Sequence, residues 1–144
     1  MSDLTSHQYR QSAIIPYFFD NNKMYVVLVQ SKKKKRWIFP KGIIEPDMTP
    51  WNSAAKEGYE EAGIEGYVFS DILHTYYASK KGGTSVIYMF PMEVTQIHKS
   101  WPEDSFRERV ICSREEAYEY IDRMPLKEGL HQIQKYVEEF QVSW

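Results

Sequence analysis

The chain has 144 residues, of which 42% are hydrophobic and 26% are charged, and its formal net charge is −2. This ordinary globular balance predicts one domain over residues 1–144, and a charge so close to zero does not indicate a nucleic-acid-binding protein. Cys112 is the single cysteine, so an internal disulfide is excluded and a reducing compartment is expected.

The N-terminal part of the chain leads into two predicted strands. The first twelve residues are polar, and no apolar stretch has the length of a membrane span, so we expect a cytoplasmic protein without a membrane partner. Residues 12–19 are apolar and aromatic and predict a strand, which Pro16 places at a sheet edge or a bulge. A turn signal at 20–22 precedes residues 24–30, whose β-branched side chains predict a buried strand.

A run of basic residues at 32–36 follows the second strand. Lysine runs are usually solvated loops. The second interpretation is a grip on substrate phosphates, because the run leads directly toward an acidic helix further along the chain. Arg36 offers a two-pronged guanidinium, while Lys35 and Lys41 offer point charges. Both interpretations stay open for the run as a whole.

A short helix with clear ends is predicted over residues 50–62. Thr49 can cap its first turn, Pro50 suits the first helical position, and Gly63 suits a left-handed cap. A buried stripe is predicted at spacings of three and four residues, formed by Trp51, Ala55, Gly58 and Ala62.

Three glutamates share another face of this helix, since Glu57, Glu60 and Glu61 fall at i, i+3 and i+4. Like charges at this spacing repel one another. A solvated acidic face is the common meaning of such a pattern. The alternative is a site for Mg²⁺ or Mn²⁺, because hard divalent cations take carboxylate oxygens.

The rest of the chain predicts strands followed by two helices. Residues 65–73 predict a strand, 74–78 extended chain, 79–83 a hairpin loop, 84–95 a long strand, 96–106 a polar loop and 110–112 a short strand. Ser113 and Glu116 form a capping box for a helix that ends at Arg123, and Pro125 separates it from the last helix. The last helix carries a core stripe of Leu126, Leu130, Ile133, Val137 and Phe140. This order predicts an α+β fold with a mixed sheet.

Residues 42–64 resemble the Nudix box, G-x5-E-x7-R-E-U-x-E-E-x-G-U, where U is a bulky aliphatic residue. The matching positions are Gly42, Glu57, Glu60, Glu61, Gly63 and Ile64. The departures are Met48 in place of Glu, Lys56 in place of Arg and Gly58 in place of an aliphatic residue. Looser matches at 11–17, 36–42, 93–95, 101–103 and 107–109 resemble the branch that acts on diphosphoinositol polyphosphates and diadenosine polyphosphates.

The resemblance implies a Nudix fold, in which a mixed β-sheet is sandwiched between α-helices. It also implies metal-dependent hydrolysis of a phosphoanhydride bond in a small nucleotide or polyphosphate, with Mg²⁺ or Mn²⁺ as cofactor. Glu57, Glu60 and Glu61 would hold the metal together with the Lys41 carbonyl, and Glu60 or Glu57 would serve in catalysis. The substrate phosphates would meet basic side chains, namely Arg36, Lys41, Lys35, Lys81, Arg107 and Arg109. An acid from outside the box often completes such sites, and the candidates are Glu93, Glu103, Asp104 and Glu108.

Two other functions stay open. Met48 and Lys56 favour a binding module that holds a nucleotide or polyphosphate without turnover. The basic run at 32–36 suggests RNA binding or RNA-end processing, which the net acidity and the lack of an extended basic face disfavour. Retention of all three helix glutamates favours the enzyme. The sequence leaves the oligomeric state open.

Overall fold

A computed structural model describes residues 7–80 and 82–142 of the chain. Its strands are β1 (His7–Asp20), β2 (Lys23–Gln30), β3 (Trp37–Ile38), β4 (Lys41–Ile43), β5 (Ile64–Val68), β6 (His74–Lys80), β7 (Gly83–Ile97) and β8 (Arg109–Ser113). Its helices are α1 (Pro50–Ala62), α2 (Arg114–Tyr120) and α3 (Met124–Val142). None of these helices is long and apolar enough to cross a bilayer.

The described strands form one mixed sheet with β1 at its centre. The order β3-β2-β1-β7-β5 is completed by β4 beside β1, β6 beside β7 and β8 beside β2. The β1 and β7 strands run parallel, whereas the other pairings are antiparallel. Asn21 and Asn22 form the two-residue turn between β1 and β2, both with positive φ, as the turn signal predicts.

Helices cover both faces of the sheet, as the α+β prediction requires. Alternate residues of β1 point to opposite faces, so Ala13 and Ile15 join the core beneath α2 and α3 while Ile14 joins the core beneath α1. The predicted stripe of α3 is confirmed for Leu126, Leu130, Ile133 and Val137, which are buried, and the side chain of Phe140 lies outside the described residues.

Several predicted boundaries are wrong. The strand predicted over 65–73 ends at Val68, the helix predicted to reach Arg123 ends at Tyr120, and Pro125 lies in the first turn of α3. Strand β1 begins at His7, earlier than predicted.

Pro16 lies in the central strand, not at an edge or a bulge. On one side of β1, residues 11–13 pair with β4 and residues 17–20 pair with β2, so Pro16 falls between the two partners. The Ile14 N–H faces this side, where it donates to the Pro40 carbonyl at 3.1 Å. Backbone nitrogens two residues apart in a strand face the same side, so the Pro16 nitrogen also faces this side. Because no strand pairs with β1 at that point, the N–H that proline lacks costs the sheet no hydrogen bond.

Candidate active site at the acidic helix

Both ends of α1 form as local sequence predicts. Thr49 Oγ1 accepts a hydrogen bond from Asn52 N at 3.2 Å, Pro50 opens the helix, and Gly63 closes it in the left-handed conformation with φ 66°. The sheet-facing side is shifted from the predicted stripe. Ala54, Gly58 and Ala62 are buried, whereas Trp51 and Ala55 are only half-buried.

Gly58 departs from the family pattern and lies where α1 approaches β1 closely. A Cβ atom at Gly58 would collide with the end of the Ile14 side chain, which takes the room of the absent aliphatic residue. On a neighbouring face of α1, Glu57 and Glu61 contact β4 at Gly42 and Lys41.

Glu57 and Glu61 form a carboxylate pair against β4. The Glu57 carboxyl packs directly on Gly42, where any side chain would collide with it. Glu61 is only 5% exposed, accepts a hydrogen bond from Lys41 N at 3.3 Å and shares a hydrogen bond with Glu57. The three glutamates therefore do not form one solvated face, since Glu61 points inward.

Both carboxyl groups of this pair have raised pKa values. Burial raises the pKa of Glu61 to about 8; the nearby Arg107 charge opposes this rise, and the Glu57 carboxylate adds to it. Burial also raises the pKa of Glu57; the hydrogen bond with Glu61 opposes the rise, and the charges of Glu60 and Glu103 add to it. A carboxylate pair of this kind is stabilised by either a proton or a cation.

Glu60 occupies a different environment. Lys56 Nζ lies 2.8 Å from a Glu45 oxygen and 3.5 Å from a Glu60 oxygen, so one lysine bridges both acids. Its hydrogen bond to Glu45 raises the pKa of Lys56. Met48 N donates to the Glu45 carbonyl at 3.1 Å, which places Met48 in the same turn.

Among the four outside acids, the structure places Glu103 beside the pair. Glu103 N donates to the Glu60 carbonyl at 3.1 Å, and Glu103 Oε1 accepts from Arg107 Nε at 2.8 Å. Arg107 is 7% exposed and also donates to the Gln30 carbonyl at 2.9 Å, so it links this acid to the end of β2.

Arg109 closes the C-terminal end of α1. Its Nη1 donates to the Ala62 carbonyl at 2.7 Å, and its guanidinium lies 4.0 Å from the centre of the Trp101 ring. His98 N donates to the Gly63 carbonyl at 2.8 Å. The first residue of β8 and the loop between β7 and β8 thus satisfy carbonyls that a helix end leaves without intrahelical partners.

The remaining predicted substrate residues lie in several different segments. Lys35 and Arg36 are exposed in the loop after β2, whereas Lys41 is half-buried and donates from Nζ to Gln11 Oε1 at 3.1 Å. Lys81 lies outside the described residues. A cavity of about 550 Å³ includes Arg107 and Arg109 and is further lined by Trp37, Lys99, Trp101, Asp104, Glu108, Val110 and Tyr120. The phosphate-binding roles of these side chains remain predictions.

Sequence reasoning missed two groups of residues at the site. The first is Glu45, which pairs with Lys56 as Glu60 does. Glu45 is eleven residues before Lys56 and outside the helix, so helical spacing does not connect the two. The second is a polar chain in which Lys41 donates to Gln11 and Gln11 Nε2 donates to Ser85 Oγ at 2.6 Å. The signal that could have revealed this polar chain is Gln11, a buried polar residue next to the apolar run of β1.

The fold is similar to that of a solved Ap4A hydrolase from C. elegans, with a TM-score of 0.71 and 19% identity, over 91% of this chain and 99% of that one. In sequence, the chain is 35% identical over 108 residues to Nudix hydrolase 13, mitochondrial, of Arabidopsis thaliana, covering 68% of this chain and 54% of the relative. It is 37% identical over 81 residues to diphosphoinositol polyphosphate phosphohydrolase 2 of Rattus norvegicus, covering 56% of this chain and 43% of the relative. The chain thus spans about half the length of the Arabidopsis thaliana and Rattus norvegicus relatives.

The model of the NUDIX domain family matches residues 8–136. This match covers nearly all of the described sheet and helices, and it confirms the resemblance and the fold that the box implies. Met48, Lys56 and Gly58 are therefore variations within the family, and the chain belongs to the NUDIX domain family.

Proposed function

We propose that this protein hydrolyses a phosphoanhydride bond in a nucleoside diphosphate derivative or a polyphosphate, with a divalent cation. The observation that carries this proposal is the carboxylate pair of half-buried Glu57 and buried Glu61 beside Lys41. Two adjacent carboxylates cost free energy when both are ionised, and a hard cation such as Mg²⁺ or Mn²⁺ removes that cost.

The donor chemistry of the site fits such a cation. Glu57 and Glu61 would be its principal ligands, with the Lys41 carbonyl and Glu60 completing the protein's share. Across residues 7–80 and 82–142, no three acidic, histidine or cysteine side chains already form a metal cage. Mg²⁺ keeps several waters and takes substrate phosphates beside its carboxylate ligands, so these residues would supply only part of its coordination. The bound cation would polarise phosphate oxygens and lower the pKa of a water ligand.

Glu60 is the carboxylate best placed for proton transfer. Its side chain is 33% exposed, whereas Glu61 is buried, so Glu60 can meet a water molecule at the site entrance. Lys56 holds it by an ion pair, with Glu45 sharing the lysine. Glu57 is the second candidate for this role.

The substrate class we propose is a highly phosphorylated small molecule. Lys35 and Arg36 are exposed and precede Lys41 of the site in sequence. Lys32 Nζ lies 5.2 Å from the ring of Phe106, which is in the loop that carries Arg107. The basic loop is therefore held beside the loop that meets the acidic helix. Similarity to a diphosphoinositol polyphosphate phosphohydrolase and to an Ap4A hydrolase fold supports diphosphoinositol polyphosphates and diadenosine polyphosphates as first substrates to test.

A binding module without turnover is the second candidate. The observation that favours it is Lys56, whose ion pair with Glu60 would hinder proton acceptance by that carboxylate, together with Met48 at a position where the family pattern has an acid.

A hydrolysis screen with Mg²⁺ and with Mn²⁺ tests the proposal. Its substrates are diadenosine polyphosphates, diphosphoinositol polyphosphates, nucleoside triphosphates, ADP-ribose and capped RNA. We expect Glu60→Gln to lower kcat by at least about 10²-fold, with the far-UV circular dichroism spectrum unchanged. Glu119→Gln, an exposed position on α2, is the matched control and should keep the wild-type rate. Substrate binding without metal-dependent turnover would favour the binding module.

A further inference from the structure

Ser12 is a fully buried serine whose hydroxyl has no hydrogen-bond partner among the described residues. Its exposure is 0%, and its Oγ is one of three buried side-chain atoms in this part of the chain that lack a partner. The other two belong to Trp101 and Arg114, which are only half-buried. A buried hydroxyl without a partner costs free energy, so its presence in the fold calls for an explanation.

The other buried serines behave differently. Ser53 Oγ accepts from Glu45 N at 3.2 Å, Ser85 Oγ accepts from Gln11 at 2.6 Å, and Ser113 Oγ accepts from Glu116 N at 3.1 Å. Each other buried serine in residues 7–80 and 82–142 therefore has a hydrogen-bond partner for its hydroxyl, and Ser12 is the exception.

The strand register places the Ser12 side chain beside the Glu57 carboxyl. Ser12 lies directly opposite Gly42 in the antiparallel pair of β1 and β4. Opposed residues of such a pair project to the same face, with Cβ positions about 5 Å apart. Glu57 fills the space above Gly42, where a Cβ would stand.

The two-residue period of β1 gives the same placement independently. Ile14 is two residues from Ser12, and its side chain meets Gly58 of α1. Ser12 therefore faces α1 and not α3. The Ser12 hydroxyl and the Glu57 carboxyl therefore lie on the same face of the sheet, where rotation of one side chain can bring them together.

We propose that Ser12 is a positioning residue for Glu57 in the cation-bound site, an inference that rests on the proposed function. One hydrogen bond joins Glu57 to Glu61. A cation that takes an oxygen from each carboxylate replaces this bond, and the orientation of Glu57 then needs another donor. The Ser12 hydroxyl supplies it and holds Glu57 toward the metal, as donors beyond the metal ligands generally do.

The test is Ser12→Ala, with three measurements. First, the metal-free melting temperature should stay the same or rise by about 2–4 °C, because the variant removes a polar group without a partner. Second, Mn²⁺ affinity, measured by electron paramagnetic resonance of free Mn²⁺, should fall about 10- to 100-fold. Third, kcat at saturating Mn²⁺ should fall while KM changes less than about twofold, since Ser12 acts through Glu57 and not on the substrate.

Ser113→Ala is the matched control, because it removes a buried and partnered hydroxyl at the start of α2. It should lower the melting temperature and leave Mn²⁺ affinity unchanged. A Ser12→Ala protein with wild-type Mn²⁺ affinity would overturn the inference. A clear loss of metal-free stability would also overturn it, by showing that the hydroxyl has a partner in the fold. Weakened Mn²⁺ binding in a protein without turnover would support the inference while refuting the proposed hydrolysis.

Discussion

Replacing Glu61 by glutamine should stabilise the metal-free protein at neutral pH. Glu61 is 5% exposed, and burial raises its pKa from 4.5 to about 8. A carboxyl with a raised pKa binds its proton more tightly in the folded state. Its stabilising contribution is therefore fully present below pH 4.5 and is lost as the pH rises toward 8. Glutamine keeps the shape and cannot ionise, so the variant avoids this loss.

The magnitude follows from the two pKa values. At pH 7, a pKa of 4.5 in the unfolded chain and of about 8 in the folded protein corresponds to a cost of about 3 kcal/mol, because folding must keep Glu61 protonated at a pH where the unfolded chain ionises it. For a chain of this size, this corresponds to a melting temperature about 6–12 °C higher in the variant. At pH 4.5 and below, the two proteins should be nearly equal.

Urea unfolding followed by circular dichroism in EDTA at pH 4.5, 6, 7 and 8 measures this difference. Glu119→Gln, exposed on α2, should follow the wild type at every pH. Adding 10 mM Mg²⁺ should reverse the order, because the cation stabilises only a protein that retains the carboxylate. Parallel curves for wild type and Glu61→Gln across the pH range would refute the reasoning.

Three further predictions follow from the surroundings of the site. Arg109→Ala should lower the unfolding free energy by about 1.5–3 kcal/mol through loss of its bond to the carbonyl that ends α1, with little change in KM; a large rise in KM alone would instead make it a phosphate ligand. Changing Lys33, Lys34 and Lys35 to serine should raise KM more for a polyphosphate than for ADP-ribose, and the difference should shrink in high salt in a steady-state assay. Met48→Glu should tighten Mn²⁺ binding modestly in a titration and change kcat by less than about 10²-fold; gain of hydrolysis in an otherwise silent protein would favour the binding module.

Local chemistry determined the parts of this protein that depend on neighbours in sequence. The ends of α1 at Thr49, Pro50 and Gly63 follow from capping, since each donor or acceptor is within four residues of its partner. The capping box at Ser113 and the stripe of α3 are predictable for the same reason. The pattern of residues 42–64, with its glycines, glutamates and Ile64, gave the family resemblance that the family-model match confirms.

Tertiary structure decided how those glutamates differ from one another. Sequence spacing put Glu57, Glu60 and Glu61 on one face, but in the folded protein Glu61 is buried against Lys41 and Arg107 whereas Glu60 stays half-exposed. The burial comes from packing between segments far apart in sequence, so it has no local signal.

The same limit applies to the residues around the acidic helix. Glu103 was one of four equal candidates until the loop after β7 was seen to bond to the carbonyl of Glu60. Pro16 looked like an edge residue, because a sequence does not show that a central strand changes partners at that point. Ser12 gained its significance only from strand register, which pairs it with Gly42 thirty residues away. Register is fixed by the whole sheet, and a shift of one residue would turn the Ser12 hydroxyl away from the site.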